Sequence, residues 1–118
     1  MKNLNNIINQ AIAEGGATLF NYSNISYCTG WQVAKQDTRK VNLKSGYLYE
    51  VAANEIIRRN GNCGLYVDSY GYLCIETSEH ILDIEQAFKL GIDRRQESIL
   101  EWSTMKYIDP RTKEEIHF

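Results

Sequence analysis

Two arginine pairs are the residues of this chain whose type and spacing point to chemistry. Arg94-Arg95 closes a predicted helix from Asp83 to Gln96, beside strands rich in aromatic residues, and Arg58-Arg59 closes another from Tyr47 to Asn60. A guanidinium is planar and permanently charged and donates two parallel hydrogen bonds, so two of them at one helix end suit a phosphate-bearing ligand. The plainer account is that cations at a helix C-terminus are favoured by the helix dipole, with Asp93 and Glu97 neutralising Arg94 and Arg95. Glu55, four residues before Arg59, pairs with it on the solvent side in this reading, whereas Asn54 in the matching place leaves Arg58 the freer group. Trp31, Tyr66, Tyr70, Tyr72 and Trp102 are candidates for stacking on a base, although most aromatics of a small domain serve its core.

Catalytic chemistry finds little support. His80, between Glu79 and Asp83, is either a general base or an ordinary surface histidine before a helix. Cys28, Cys63 and Cys74 form no CxxC pair and have only His80 and His117 to join them, so no zinc site is expected and buried free thiols are the simpler reading. Gly15-Gly16 ends a helix instead of starting one, and no GxxxxGK[ST] loop occurs. The expectation is a binding protein and not an enzyme, with no cofactor and no metal.

The elements that must position these residues follow from periodicity. Leu4, Ile7, Ile8, Ala11 and Ile12 have helical spacing, capped by Asn3 and stopped by Gly15-Gly16. Ala17 to Tyr22 reads as a strand, with Asn21, Ser23 and Asn24 as turn residues. Tyr27 to Ala34 reads as a second strand, with Gly30 as a bulge or point of close approach. Lys35 to Lys44 is polar and reads as a mobile loop. Leu48, Val51, Ala52 and Ile56 line one face of the helix that Ser45 would cap. Leu65 and Val67, then Leu73 and Ile75, alternate with Tyr66, Tyr72 and Cys74 across the turn Asp68-Ser69-Tyr70-Gly71, which makes a hairpin with its tyrosines opposite the aliphatic face. Asp83 with Gln86 is a capping-box variant, and Ile84, Ala87, Phe88 and Gly91 form the apolar stripe of the last helix. Strands follow at Ser98 to Trp102 and Met105 to Ile108. Asp109-Pro110-Arg111-Thr112 makes a turn before a further strand-like stretch from Glu115 to Phe118. The order α-β-β-α-β-β-α-β-β predicts an α+β fold with a mostly antiparallel sheet and about three helices.

The bulk numbers bound the partners. The 118 residues suffice for one domain, read as a single nucleotide-signal-binding domain over 1–118. A net charge of −2 and a pI near 5.7 argue against a general binder of DNA or RNA, which carries a basic field, but leave room for a local basic pocket. No apolar run is long enough to cross a bilayer, and no signal-peptide core follows Met1-Lys2-Asn3, so a cytoplasmic protein with no membrane partner is expected.

Four strings in order carry a resemblance: Gly15-Gly16-Ala17-Thr18; Gly64-Leu65-Tyr66-Val67-Asp68 with Tyr72-Leu73-Cys74-Ile75; Asp83-Ile84-Glu85-Gln86-Ala87-Phe88; and Gln96 through Ile99. With them, about two-thirds of the chain resembles phage-encoded Thoeris anti-defence proteins of the first type, cytosolic sponges that sequester cyclic nucleotide immune signals. The resemblance implies an α+β fold that forms a homo-oligomer, a dimer that assembles further into a hexamer. It implies binding of glycocyclic ADP-ribose, and in some members of cyclic trinucleotides, without cleavage. Family pockets hold phosphate and ribose with arginines and adenine with an aromatic side chain. That favours Arg94 and Arg95, adds Arg58, and makes Tyr66 and Phe88 the candidate stackers. The chain departs from the family in carrying Arg95 where an asparagine is expected before Gln96, and Ile25 to Lys44 has no counterpart. The alternative expectation is a protein-blocking inhibitor of a host defence system, of the anti-CRISPR or antirestriction kind, suited to a small aromatic-rich chain.

Overall fold

The computed structural model describes residues 4–117; the Asn3 cap and the end of the Glu115 to Phe118 stretch lie outside them. The chain has three helices and two antiparallel sheets and is an α+β fold. It divides into two compact units. One takes the residues up to Ile25 together with Asp37–Thr77. The other takes Ser26–Gln36 together with the residues from Ser78 on.

The first unit is two-layered. Helix α1 (Leu4–Glu14) precedes β1 (Gly16–Phe20) and β2 (Ser23–Ile25), and β4 (Arg39–Asn42) precedes helix α2 (Leu48–Arg58), β5 (Cys63–Val67) and β6 (Tyr72–Glu76). The strands run in the order β2-β1-β5-β6-β4. Leu65 faces both Ala17 and Ile75, and Leu73 faces Val67 and Val41. This puts the aliphatic positions of the hairpin on one face, where Leu4, Ile7, Ile8 and Ala11 of α1 and Leu48, Ala52 and Ile56 of α2 bury them.

The second unit has the sheet order β7-β3-β8-β9, formed by β3 (Trp31–Ala34), β7 (Ser78–Ile81), β8 (Ile99–Glu101) and β9 (Lys106–Ile108). Helix α3 (Ile84–Asp93) lies against Trp31, Val33, Ile81 and Ile99 through Ala87, and Asp83 caps it by accepting a hydrogen bond from the Gln86 amide.

Three expectations are corrected. Lys35 to Lys44 is not a loop throughout, because Arg39–Asn42 pairs with β6 in full register. Its charges hid it: only Val41 faces the core, and Arg and Lys on an edge strand deter edge-to-edge association. The strand expected from Tyr27 begins only at Trp31, and the polar segments Ser23–Ile25 and Ser78–Ile81 are strands. Ser45 does not cap α2 in the usual sense. Its hydroxyl accepts from the Tyr47 amide, and Tyr47 occupies the cap position without a side-chain bond.

Candidate functional site

Both arginine pairs close their helices in the same way. In α2 the Asn60 amide donates to the Ile57 carbonyl and the Gly61 amide to Ile56; in α3 the Arg95 amide donates to Ile92 and the Gln96 amide to Gly91. These are Schellman caps, with Asn60 (φ 56°) and Arg95 (φ 53°) in the left-handed region. Asparagine tolerates that conformation through its short polar side chain, whereas arginine there carries a strain of about 1 kcal/mol. The residue before each left-handed position, Arg59 or Arg94, continues the buried stripe of its helix: Ala52, Ile56, Arg59 and Ala87, Gly91, Arg94.

Periodicity therefore turns one arginine of each pair inward. Arg59, expected on the solvent side, has a side chain only 3% exposed. It donates to Thr77 Oγ1 at 2.9 Å and to the Asp37 carbonyl at 2.6 Å, and pairs with Asp37 Oδ2 at 2.7 Å and Glu55 Oε2 at 3.3 Å. Arg94 donates to Glu79 Oε1 on β7 at 2.6 Å, and Lys35 shares that carboxylate at 3.6 Å. Each leaves one buried donor unbonded, Nε of Arg59 and Nη1 of Arg94. Burial is the largest single influence on Glu79 and opposes its ionisation, but Arg94 and Lys35 together outweigh it and hold the carboxyl below its usual range. Arg58 is not the free group the sequence suggested, because Glu55 three residues before it accepts from its Nη2 at 3.0 Å. Arg95 is exposed, and its guanidinium has no partner among the described residues.

The other candidates separate. Tyr66 and Arg58 belong to the first unit; Phe88, Arg94 and Arg95 belong to the second. Tyr66 is partly buried opposite Cys74, and burial pushes its hydroxyl pKa up. Trp31 and Trp102 are core residues, the indole of Trp102 donating to Gln32 Oε1. His80 stacks on Tyr27 with ring centroids 3.6 Å apart, and its Nε2 lies 2.7 Å from the Thr29 carbonyl, so Nε2 is the donor. Gly30 permits this, since a Cβ there would lie 2.5 Å from His80 Nε2. Burial pushes the Cys63 thiol up to about 12 and raises Cys74 as well, so neither is a thiolate nucleophile at neutral pH. No group of three metal-ligating side chains occurs among the described residues.

Of the expected set, Phe88 lines an open groove. The groove, of about 420 Å³, runs between α3 and the turn after β9, walled by Glu85, Phe88, Lys89, Ile92 and Asp93 on one side and Pro110, Arg111 and Lys113 on the other. The volume falls in the range of small-ligand sites, roughly 300–1,000 Å³. Gly91 sets the wall spacing, because a Cβ there would come within 2.9 Å of Pro110 and 3.1 Å of Ile99. That close approach explains a helix-interior glycine that otherwise costs about 1 kcal/mol. The turn is held by Asp109, which accepts from the Arg111 amide and, through its carbonyl, from the Lys113 amide. Phe88 is half-buried against Trp31, and Lys113 lies 5.6 Å from its ring centroid. Three cations and two carboxylates line the walls, but the Arg111 guanidinium is paired with the Asp109 carboxylate at 3.1 Å, which leaves Lys89 and Lys113 as the groove cations with no ion pair among the described residues. The sequence reading missed Lys89, Arg111 and Lys113 because they lie on separate elements that only the fold joins. The Asp-Pro turn was the one available signal. No protein-family model, curated protein or solved structure matches the chain.

Proposed function

We propose that the protein is a sponge: as a homo-oligomer, it binds and sequesters cyclic nucleotide signals of the glycocyclic ADP-ribose or cyclic trinucleotide type and leaves them intact. The observation that carries this reading is the groove, which combines an aromatic ring, Phe88, with Lys89, Arg111 and Lys113. A base entering it exchanges the Lys113 contact with the ring, worth about 0.5–1 kcal/mol at an exposed site, for stacking worth about 1–3 kcal/mol. The released ammonium is then free for a phosphate. The same reading moves phosphate recognition from Arg94, which is engaged by Glu79, to Lys89 and Lys113 rather than Arg111, which is engaged by Asp109, and leaves Arg95 as an available guanidinium.

The test is isothermal titration with glycocyclic ADP-ribose and with a cyclic trinucleotide, followed by chromatography of the recovered ligand. A sponge that competes with a sensitive receptor needs a nanomolar Kd, about −12 kcal/mol. Tight binding with unchanged ligand supports the reading, and Lys89→Glu with Lys113→Glu, both at exposed positions, should abolish it in a protein with an unchanged far-UV spectrum. Absence of heat with either ligand would refute it and favour the protein-blocking inhibitor.

A further inference from the structure

Two separate demands of the fold place Asn60 and Gly61 side by side. The Schellman cap of α2 needs a left-handed residue at 60, which asparagine supplies at φ 56°. The chain then passes beneath the turn between β1 and β2. A Cβ on Gly61 would lie 2.5 Å from the Tyr22 nitrogen and 2.8 Å from its ring, so that close approach requires glycine at 61. The pair that results is chemically special. Asn60 alone among the asparagines of the sequence precedes a glycine, whose missing side chain leaves its amide nitrogen unhindered as a nucleophile. Asn60 is exposed to water, whereas Gly61 is buried.

Deamidation is the reaction open to such a pair. The Gly61 amide nitrogen, having lost its proton to solvent hydroxide, attacks the Asn60 side-chain carbonyl carbon. A succinimide ring closes and ammonia leaves. Water then opens either ring carbonyl, giving aspartate or, with the main chain rerouted through the former side chain, isoaspartate; nothing is oxidised or reduced. In the folded chain the nucleophile is withheld. The Gly61 amide donates its proton to the Ile56 carbonyl at 2.9 Å, and attack requires that bond, and with it the last turn of α2, to open. The neighbouring turn holds the cap down, because the Asn21 amide donates to Asn62 Oδ1 at 3.1 Å and the Tyr22 amide to the Gly61 carbonyl at 3.4 Å. Neither product restores what opened. Isoaspartate lengthens the main chain between 60 and 61, and both products put a carboxylate at a helix C-terminus, where negative charge is disfavoured. We propose that Asn60 is a deamidation site locked by the α2 cap: conversion proceeds through opening of that cap and then keeps it from reforming, which loosens the adjoining Arg59 anchor. The inference goes beyond the proposed function and is measured without ligand, so the two stand or fall separately.

Peptide mapping by mass spectrometry tests it, after incubation of the full chain at mildly alkaline pH with and without denaturing urea. In urea Asn60 should convert faster than any other asparagine, because only the intrinsic reactivity of each position remains. In the native protein its conversion should be at least about tenfold slower, since the population of the opened cap then sets the rate. Native protein aged to full conversion should unfold at a lower urea concentration than fresh protein. Asn60→Gly keeps a residue suited to the left-handed position and removes the reacting amide, so it should start from at least the wild-type midpoint and lose nothing on ageing. Equal conversion rates at Asn60 in the native and unfolded chain would overturn the inference. So would the absence of conversion in urea, or full conversion that leaves the urea midpoint unchanged.

Discussion

Replacing Arg59 by alanine should be among the most destabilising single changes in the first unit, and the size of the loss can be worked out from its surroundings. Four contacts disappear: Thr77 Oγ1, the Asp37 carbonyl, the Asp37 carboxylate and Glu55. Breaking a buried charge network by removing one partner costs about 3–5 kcal/mol. Three features lower that figure here. Asp37 is 40% exposed and can be rehydrated. Glu55 keeps Arg58. The unbonded Arg59 Nε, a desolvation cost in the native state, leaves with the side chain. The expected loss is therefore about 2–4 kcal/mol, which for a chain of this length lowers Tm by roughly 10–15 °C. Asp37 and Thr77, which also bond to each other through the Thr77 amide, open and close the second stretch of this unit, so the network ties together the two ends of that stretch. Arg59→Lys retains the charge but not the planar fork and should lose about 1–2 kcal/mol. The assay is urea unfolding followed by circular dichroism, with the slope checked so that a change of midpoint reports stability. A loss below about 1 kcal/mol for Arg59→Ala at constant slope would refute the reasoning, since an arginine this buried would then be energetically idle.

Three further outcomes are expected. Gly91→Ala should destabilise by up to about 2 kcal/mol, because the clash with Pro110 and Ile99, about 1–3 kcal/mol, outweighs the roughly 1 kcal/mol gained in helix propensity; a thermal melt showing higher stability would mean that the Pro110 turn moves freely. Arg95→Asn should stabilise by about 0.5–1 kcal/mol by relieving the left-handed strain, a rise in Tm of a few degrees. Acid should unfold the protein progressively. Hydrogen bonding from Arg58, against burial, lowers Glu55; for Asp37 burial would raise the value, but Thr77 and Arg59 outweigh it. With both depressed, as with Glu79, their stabilisation is complete above the unfolded values of 4.5 and 3.8 and is lost as pH falls through the lower folded values. Glu76 opposes this, since burial raises its pKa and its protonated form is the better folded one. Urea midpoints at pH 7, 4.5 and 3 check the net sign.

What was legible in the sequence and what was not divides along one physical line. The helices and inner strands were legible because burial writes a period into them: Leu65, Val67, Leu73 and Ile75 alternate, and Leu48, Ala52 and Ile56 follow a helical face. The strands that were missed, Ser23–Ile25, Arg39–Asn42 and Ser78–Ile81, all lie at sheet edges, where one side has no neighbour and polar residues are the rule. The same logic corrects the site. Arg58-Arg59 and Arg94-Arg95 look alike as dipeptides, and charge alone cannot say which member meets solvent. The stripe does, since Arg59 and Arg94 follow Ile56 and Gly91 by three residues and so fall on the buried side. Extending the 3.6-residue period one step past the last apolar position would have assigned both to internal ties. That leaves Arg58 and Arg95 as the outward members: one paired with Glu55 on its own helix, the other held by a strained cap with no internal partner among the described residues. A guanidinium that gains nothing from its own fold yet occupies a position better suited to asparagine is where a ligand contact should be sought first, and titration of Arg95→Asn with the same cyclic nucleotides decides it. A protein that becomes more stable and binds more weakly would place Arg95 in the ligand's path, whereas unchanged affinity would confine recognition to the groove.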